Sequence, residues 1–248
     1  MQRRYAAADL GVLTEGEARR FVGIPPGDPE TDVTLAWELL YRLEPELYDR
    51  LVSAERLHPG VIAWLPRDVD RIVEVAAGTG RLTLELLQRA REVVAIEPAG
   101  PLREILNQKL ARADGGHRAQ VKHGFFDDLP VTDAYADVVV ACSAFTLDPG
   151  HGGEAGLAEM ERVCKRGGCV VIVCAGEADW LAARGYRYVS FDSGEMSVEF
   201  ASHDEAVQLT EMFYPRGIEE VRRHQWRRVP YEVLGINPPC DLAFKIIA

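Results

Sequence analysis

The stretch Glu74-Val75-Ala76-Ala77-Gly78-Thr79-Gly80-Arg81-Leu82-Thr83 decides how this chain folds. It continues Ile72-Val73, so a β-branched run ends in a turn with glycines at 78 and 80, then enters a helical stretch through Leu82, Leu86 and Leu87. Those glycines remove Cβ atoms where a chain must turn sharply from strand to helix, and they let a ligand approach the backbone. The N–H groups of such a loop, with a helix N-terminus behind it, suit a ligand that carries a carboxylate. A second apolar run, Glu92-Val93-Val94-Ala95-Ile96, ends at Glu97-Pro98. An acid about twenty residues beyond a glycine loop is well placed to bind both ribose hydroxyls of a nucleoside. A solvated acid before a proline turn is the plainer alternative for Glu97.

Outward from the loop, strands and helices alternate. Pro101 to Ala111 reads as a helix, Gln120-Val121-Lys122-His123 as a short third strand, and Ala136-Asp137-Val138-Val139-Val140-Ala141 as the fourth. A helix over 156–165 stops at Gly167-Gly168, and Cys169-Val170-Val171-Ile172-Val173 follows as the fifth strand. Continuous apolar strands in such an alternation indicate a parallel sheet covered on both faces. Beyond it, Arg187-Tyr188-Val189-Ser190-Phe191 and Met196-Ser197-Val198-Glu199-Phe200 flank Asp192-Ser193-Gly194-Glu195 and predict a hairpin. Ser202, with Glu205 three residues on, opens a helix as a capping box. Two last strands are predicted at Tyr231-Glu232-Val233-Leu234 and Leu242 to Ile247, antiparallel because the link through Asn237-Pro238-Pro239 is short. Residues 1–60 hold helical stretches with Trp37, Leu39, Leu40, Leu43 and Leu47 and no strand-like run.

A formal net charge of −11 disfavours phosphate backbones and anionic lipid as partners. The one basic run, Arg222-Arg223-His224-Gln225-Trp226-Arg227-Arg228, follows Glu219-Glu220 and reads as a solvated helix end. No apolar run has the length to cross a bilayer, and the N-terminus lacks a signal core, so a cytoplasmic protein with no nucleic-acid or membrane partner is expected. Cys142, Cys164, Cys169, Cys174 and Cys240 form no CxxC pair, which argues against zinc and a disulfide framework. No metal site is expected.

These residues resemble the class I S-adenosylmethionine-dependent methyltransferases, within them the small-molecule (type 11-like) group. The resemblance runs over roughly Leu47 to Val173. Glu74, Gly78 and Gly80 match the family's first motif, with Ala76 in place of its first glycine, and Glu97 matches its ribose-binding acid. Leu157 to Gly168 resembles the family's late "R-V-L-K-P-G-G" segment, with Cys164 and Arg166 as departures. Leu47-Tyr48-Asp49-Arg50-Leu51 is similar to a "Y-D-x-L" that closes over the cofactor. The family often has "G-D-A-x-x-L-P" after its third strand; here Gly124-Phe125-Phe126-Asp127-Asp128-Leu129-Pro130 puts Phe125 at the usual aspartate position. Phe126 and Asp127 are then the adenine candidates. Thr83 occupies the third position of G-x-G-x-x-G, which counts against a dinucleotide site.

The resemblance implies an α/β fold: a doubly wound, seven-stranded, mostly parallel sheet with an antiparallel last strand and helices on both faces. A helical cap over 1–60 precedes a methyltransferase domain over 61–248, with an acceptor-side hairpin at about 180–202. S-adenosylmethionine is the expected cofactor, held by Tyr48, Glu74, Ala76, Gly78, Gly80, Glu97, Pro98, Phe126, Asp127, Cys142 and Ser143. The switch-point rule puts the acceptor near Cys142-Ser143-Ala144-Phe145, with His151 as the candidate base. The residues 141–145 lack the "N-P-P-Y" of amino-methylating DNA enzymes. Aromatics such as Trp37, Tyr41, Trp180, Tyr186, Tyr188 and Phe191 are candidates to line the acceptor pocket. The expected activity is methyl transfer to a small molecule, by a monomer or homodimer. A protein that binds S-adenosylmethionine without catalysis, and a nucleotide-cofactor oxidoreductase, are the alternatives.

Overall fold

The computed structural model describes residues 5–23, 25–192, 194 and 196–248. Among them run nine strands: β1 (Val69–Val75), β2 (Ala90–Ile96), β3 (Ala119–Lys122), β4 (Ala136–Cys142), β5 (Cys164–Val173), β6 (Arg187–Ser190), β7 (Ser197–Glu199), β8 (Arg228–Pro230) and β9 (Asp241–Ile246). The chain divides into two compact units, one of Pro59–Phe191 with Cys240–Ala248, the other of Met1–His58 with Asp192–Pro239.

The first unit is built on a seven-stranded sheet of order β3-β2-β1-β4-β5-β9-β6. Strands β1 to β5 pair in parallel, while β9 is antiparallel to both β5 and β6. The fold class is thus the one the sequence implied. Val73 and Val75 of β1, Val139 and Ala141 of β4, and Val170 and Ile172 of β5 bury one face against Leu157, Met160 and Val163 of the helix Gly153–Val163. The alternate residues Ile72, Val93, Val138, Val140 and Val171 are buried as fully, so they fill the opposite face. On the helix Gly100–Arg112, Leu102, Leu106 and Leu110 form a single buried stripe at helical spacing. The chain runs outward through β1, β2 and β3 and then returns to β4 beside β1. That reversal opens a crevice at the carboxyl ends of β1 and β4.

Four local expectations change. The helix after the glycine loop is only Thr83–Leu86. The helix before β5 ends at Val163, and β5 begins at once, so Gly167 and Gly168 lie inside the strand. A Cβ on Gly168 would stand 2.8 Å from the Asp137 carbonyl, which is why glycine occurs in a strand there. The predicted hairpin over 187–200 does not form. Its first arm is β6, which pairs with β9 in the main sheet and lays the Arg187 guanidinium 4.5 Å from the Phe244 ring centroid. Its second arm is β7, which pairs antiparallel with β8 in the other unit; Ser193 and Glu195 of the predicted turn lie outside the described residues. Residues Tyr231–Leu234 form a helical turn rather than a strand, with Tyr231 and Leu234 buried three apart and Gly235 closing it in the left-handed conformation.

The second unit joins the N-terminal helices to residues 192–239. Helices Val33–Leu43, Pro45–Ala54 and His203–Phe213 bury Leu35, Leu39, Leu40, Leu47, Leu51, Ala206 and Leu209 with Val198 and Val229 of the β7–β8 pair. Ser202 caps its helix by accepting the Glu205 N–H, while the Glu205 carboxylate accepts from the Ala201 N–H rather than completing the predicted box at Ser202. The Arg42 guanidinium is buried between the carboxylates of Glu17 and Glu38, each at 2.7 Å. Much of the basic run is ion-paired within this unit: Arg222 meets Glu211, Arg223 and His224 meet Glu220, and Arg228 meets Glu199, while Arg227 donates to the Phe200 carbonyl.

Candidate active site

The glycine loop leaves β1 through three backbone positions of positive φ: Ala76 at 57°, Gly78 at 56° and Gly80 at 93°. Such angles cost an L-residue strain that glycine escapes. Gly80 is fixed twice over, because a Cβ there would sit 2.4 Å from Leu106 Cδ1. Glu97, buried at the end of β2, ties the two strand ends together. Its Oε2 accepts the Gly78 N–H at 2.9 Å and its Oε1 the Ala99 N–H at 2.8 Å. Arg103 braces the same turn by donating to the carbonyls of Glu97 (2.7 Å) and Pro98 (2.6 Å).

Glu74 lies beneath the loop and is 2% exposed. Burial pushes its carboxyl up to about 8, against the opposing effect of a hydrogen bond from Thr83 Oγ1 at 2.5 Å. At neutral pH this acid is therefore mostly protonated. Thr83 is more than a missing glycine: its hydroxyl positions Glu74. Thr79, 1% exposed in the same loop, has a buried Oγ1 with no hydrogen-bond partner among the described residues.

Across the crevice, β4 ends at Cys142 and the chain turns at Ser143 with φ 55°. Ser143 donates its N–H to Val173 O at 3.0 Å. Its Oγ accepts from Arg81 Nη2 at 2.9 Å, and the same nitrogen reaches Cys142 Sγ at 3.7 Å. Burial raises the Cys142 thiol above its ordinary range. Arg81 thus spans from the glycine loop to the end of β4.

The other expected site residues divide. Glu74, Ala76, Gly78, Gly80, Glu97, Pro98, Cys142 and Ser143 all stand at the carboxyl ends of β1, β2 and β4. Phe126 and Asp127 are the central residues of a tight turn in which Phe125 and Asp128 exchange backbone hydrogen bonds at 3.3 and 3.2 Å. The Phe126 ring is buried against Phe145 at 5.8 Å between centroids, so it belongs to the core, while Asp127 is exposed. His151 lies on the loop after β4, in the turn Pro149–His151, its Nδ1 3.8 Å from Asp148 Oδ1. Tyr48 belongs to the helical unit, where its ring meets Tyr41 edge-on at 4.7 Å. Trp37 stacks on Phe213 there at 5.6 Å. In the sheet unit Tyr186 is buried and donates to Glu161, and Trp180 carries the Arg184 guanidinium at 3.5 Å. Thr79 and Arg81 are additions that the sequence reading passed over; a cation directly behind the second glycine was the signal for Arg81.

Residues 72–168 match the family described as "Methyltransferase domain". Over 117 residues the chain is 29% identical to an uncharacterized methyltransferase of Mycobacterium tuberculosis, a stretch covering 46% of this chain and 44% of that protein. A relative from Geobacillus thermodenitrificans, also named as a methyltransferase, is 28% identical over 124 residues, 50% of this chain and 51% of the relative. The chain spans about half the length of these curated relatives. Among solved structures, the complex between the Haloferax volcanii Trm112 methyltransferase activator and a methyltransferase contains a chain that superposes with a TM-score of 0.56 and 15% identity, covering 83% of this chain and 95% of that one. That likeness speaks for the fold.

Proposed function

We propose that this protein, whose residues 72–168 match a methyltransferase domain, is a class I S-adenosylmethionine-dependent methyltransferase that methylates a small-molecule acceptor at the carboxyl edge of β1 and β4. The observation that carries the reading is Glu97. It is a buried acid whose carboxylate fixes the Gly78 N–H, at the position after the second strand where an acid meets ribose hydroxyls. The residues fit the cofactor on a second ground: the loop holds a buried Thr79 hydroxyl that lacks a partner within the described protein. When bound, S-adenosylmethionine supplies an electrophilic methyl group on a sulfonium, so an acceptor needs alignment more than activation.

The chain's residues then divide that work. Glu97 and Pro98 face the ribose, Gly78 and Gly80 admit the ligand to the backbone, and the turn at Phe126 and Asp127 faces the adenine. Cys142 and Ser143 border the place of transfer. For an acceptor that must lose a proton, His151 is the base we propose. The net charge of −11 and the ion-paired arginines at 222–228 support a small acceptor over nucleic acid.

Calorimetric titration with S-adenosylhomocysteine and with NAD tests the cofactor reading. Glu97→Ala is expected to weaken S-adenosylhomocysteine by about 1–3 kcal/mol, the value of charged hydrogen bonds, and unchanged affinity would sink the ribose assignment. Turnover against a panel of small O-, N- and C-nucleophiles tests the acceptor class; turnover on nucleic acid alone would refute it.

A further inference from the structure

We propose that Arg162 and Glu159 are positioning residues of the site: by holding the stem of the turn at Phe126 and Asp127, they set its preference for adenine over other bases. This rests on the reading of that turn as the one that faces the adenine. Arg162 opens the late segment that ends in Gly167-Gly168, and the resemblance by itself gives it no role. A guanidinium has five N–H donors, and that of Arg162 makes five hydrogen bonds. Its Nε and Nη2 reach the two Glu159 oxygens, each at 2.6 Å. Nη1 donates to Val131 O at 2.9 Å and to Asp133 Oδ1 at 2.7 Å, and Nη2 donates to Leu129 O at 3.1 Å. Glu159 in turn accepts the Leu129 N–H at 3.0 Å.

Between β3 and β4 the chain leaves the sheet, so its backbone polar groups need partners elsewhere. Both backbone groups of Leu129 and the carbonyl of Val131 are met by this one pair of side chains. Gly156, Glu159 and Arg162 are spaced by three on the helix Gly153–Val163, so they follow one stripe of it. That stripe meets the turn from both sides. A Cβ on Gly156 would lie 3.0 Å from the Cβ of Phe126, and the Glu159–Arg162 pair holds the chain from Leu129 to Asp133. Hydrogen bonds from Arg162 are the main reason that the Glu159 carboxyl lies below its ordinary range. The pair is therefore ionised at neutral pH and its bonds are charge-assisted. The tip at Asp127 and Asp128 is exposed, while Phe126 and Leu129 on either side are buried. A tip fixed in place distinguishes the 6-amino donor of adenine from the 6-oxo acceptor of hypoxanthine, whereas a tip free to shift accommodates both.

Calorimetry with S-adenosylhomocysteine and with S-inosylhomocysteine, which carries a 6-oxo group in place of the 6-amino group, reads that preference. The unaltered protein is expected to favour S-adenosylhomocysteine about tenfold or more. Arg162→Met removes the fork and should cut the preference to about threefold or less. Arg162→Lys keeps the charge but has only three donors, and should fall between the two. If Arg162→Met shows no cooperative urea transition, Glu159→Gln, which keeps an oxygen for the Leu129 N–H, carries the test and should show a smaller loss of preference. An unchanged preference in the folded variants, even with both ligands weakened equally, would make the pair a brace of the fold alone and overturn the proposal. No preference in the unaltered protein would instead overturn the reading of the turn as the adenine contact, and binding of neither ligand would overturn the cofactor reading beneath both.

Discussion

Replacing Glu74 by glutamine is expected to change how the stability of this protein depends on pH. The buried carboxyl is raised from 4.5 to about 8, whereas in the unfolded chain it loses its proton near the ordinary value. Between those limits the folded state binds more protons than the unfolded one, so stability is fullest below about pH 4.5 and falls as pH rises toward 8. At about 1.4 kcal/mol per pH step for one proton, the ceiling on this effect is about 5 kcal/mol. Relaxation of the loop and entry of water will reduce it. Glutamine keeps the shape and an acceptor for Thr83 but has no proton to lose. Urea unfolding of both proteins at intervals from pH 5 to 9 measures the difference directly. The wild type should lose a few kcal/mol relative to Glu74→Gln across that range, with the change flattening above about pH 8. A difference that stays constant from pH 5 to 9 would refute a protonated, buried Glu74.

Three more expectations follow from the same loop. Thr83→Val keeps the side-chain shape and removes the donor to Glu74, and it should cost about 1–3 kcal/mol at pH 7 in urea denaturation; no loss would mean that Glu74 is satisfied elsewhere. Ala76→Gly relieves a left-handed residue, φ 57°, and should gain up to about 1 kcal/mol, seen as a rise of about 2–4 °C in Tm. A lower Tm would show that Ala76 bears no strain. Gly78→Val places a β-branched side chain at φ 56° and should abolish S-adenosylhomocysteine binding while leaving a cooperative unfolding transition; normal binding would remove the loop from the site.

The central strands were legible because burial on both faces leaves an apolar run that needs no partner to be recognised: Val138 to Ala141 and Val170 to Val173 read the same in isolation as in the sheet. Partners were not legible for short strands. β6 and β7 have four and three residues, and sequence adjacency favoured a hairpin between them. The structure pairs β6 with β9 and β7 with β8 instead, choices settled by surfaces more than 25 residues away in the chain. Tyr231–Leu234 shows a different limit, since four apolar-rich residues fit a strand or a helical turn equally well by pattern. In the site, glycine spacing announced the loop, and the acid after β2 announced Glu97. The roles of Thr79, Arg81 and Thr83 depend on which side chain each hydroxyl or guanidinium meets, and no spacing rule carries that.

Among the described residues, three of the six non-glycine positions with positive φ gather at the edge that the glycine motif marks, while Asp68, Ala134 and Gln225 lie elsewhere. Ala76, Ser143 and Cys174 are non-glycine residues with φ of 57°, 55° and 57°, and each is the first residue past its strand, β1, β4 or β5. These three strands are neighbours in the sheet, so the three strained turns stand side by side at one edge. A left-handed L-residue costs about 1–2 kcal/mol, and such positions persist only where the surrounding structure holds them. Here each is held by a ladder continued past the strand: Ala77 N–H to Ile96 O, Ser143 N–H to Val173 O and Cys174 N–H to Asp241 O, all at 3.0 Å. Simple turns would be served by glycine, as Gly78 and Gly80 show. Ser143 keeps a side chain that bonds Arg81, and its strain is therefore best explained by what the hydroxyl holds. The edge that the glycine motif marks on β1 extends in this way across β4 to β5, and the acceptor side of the proposed reaction lies along it.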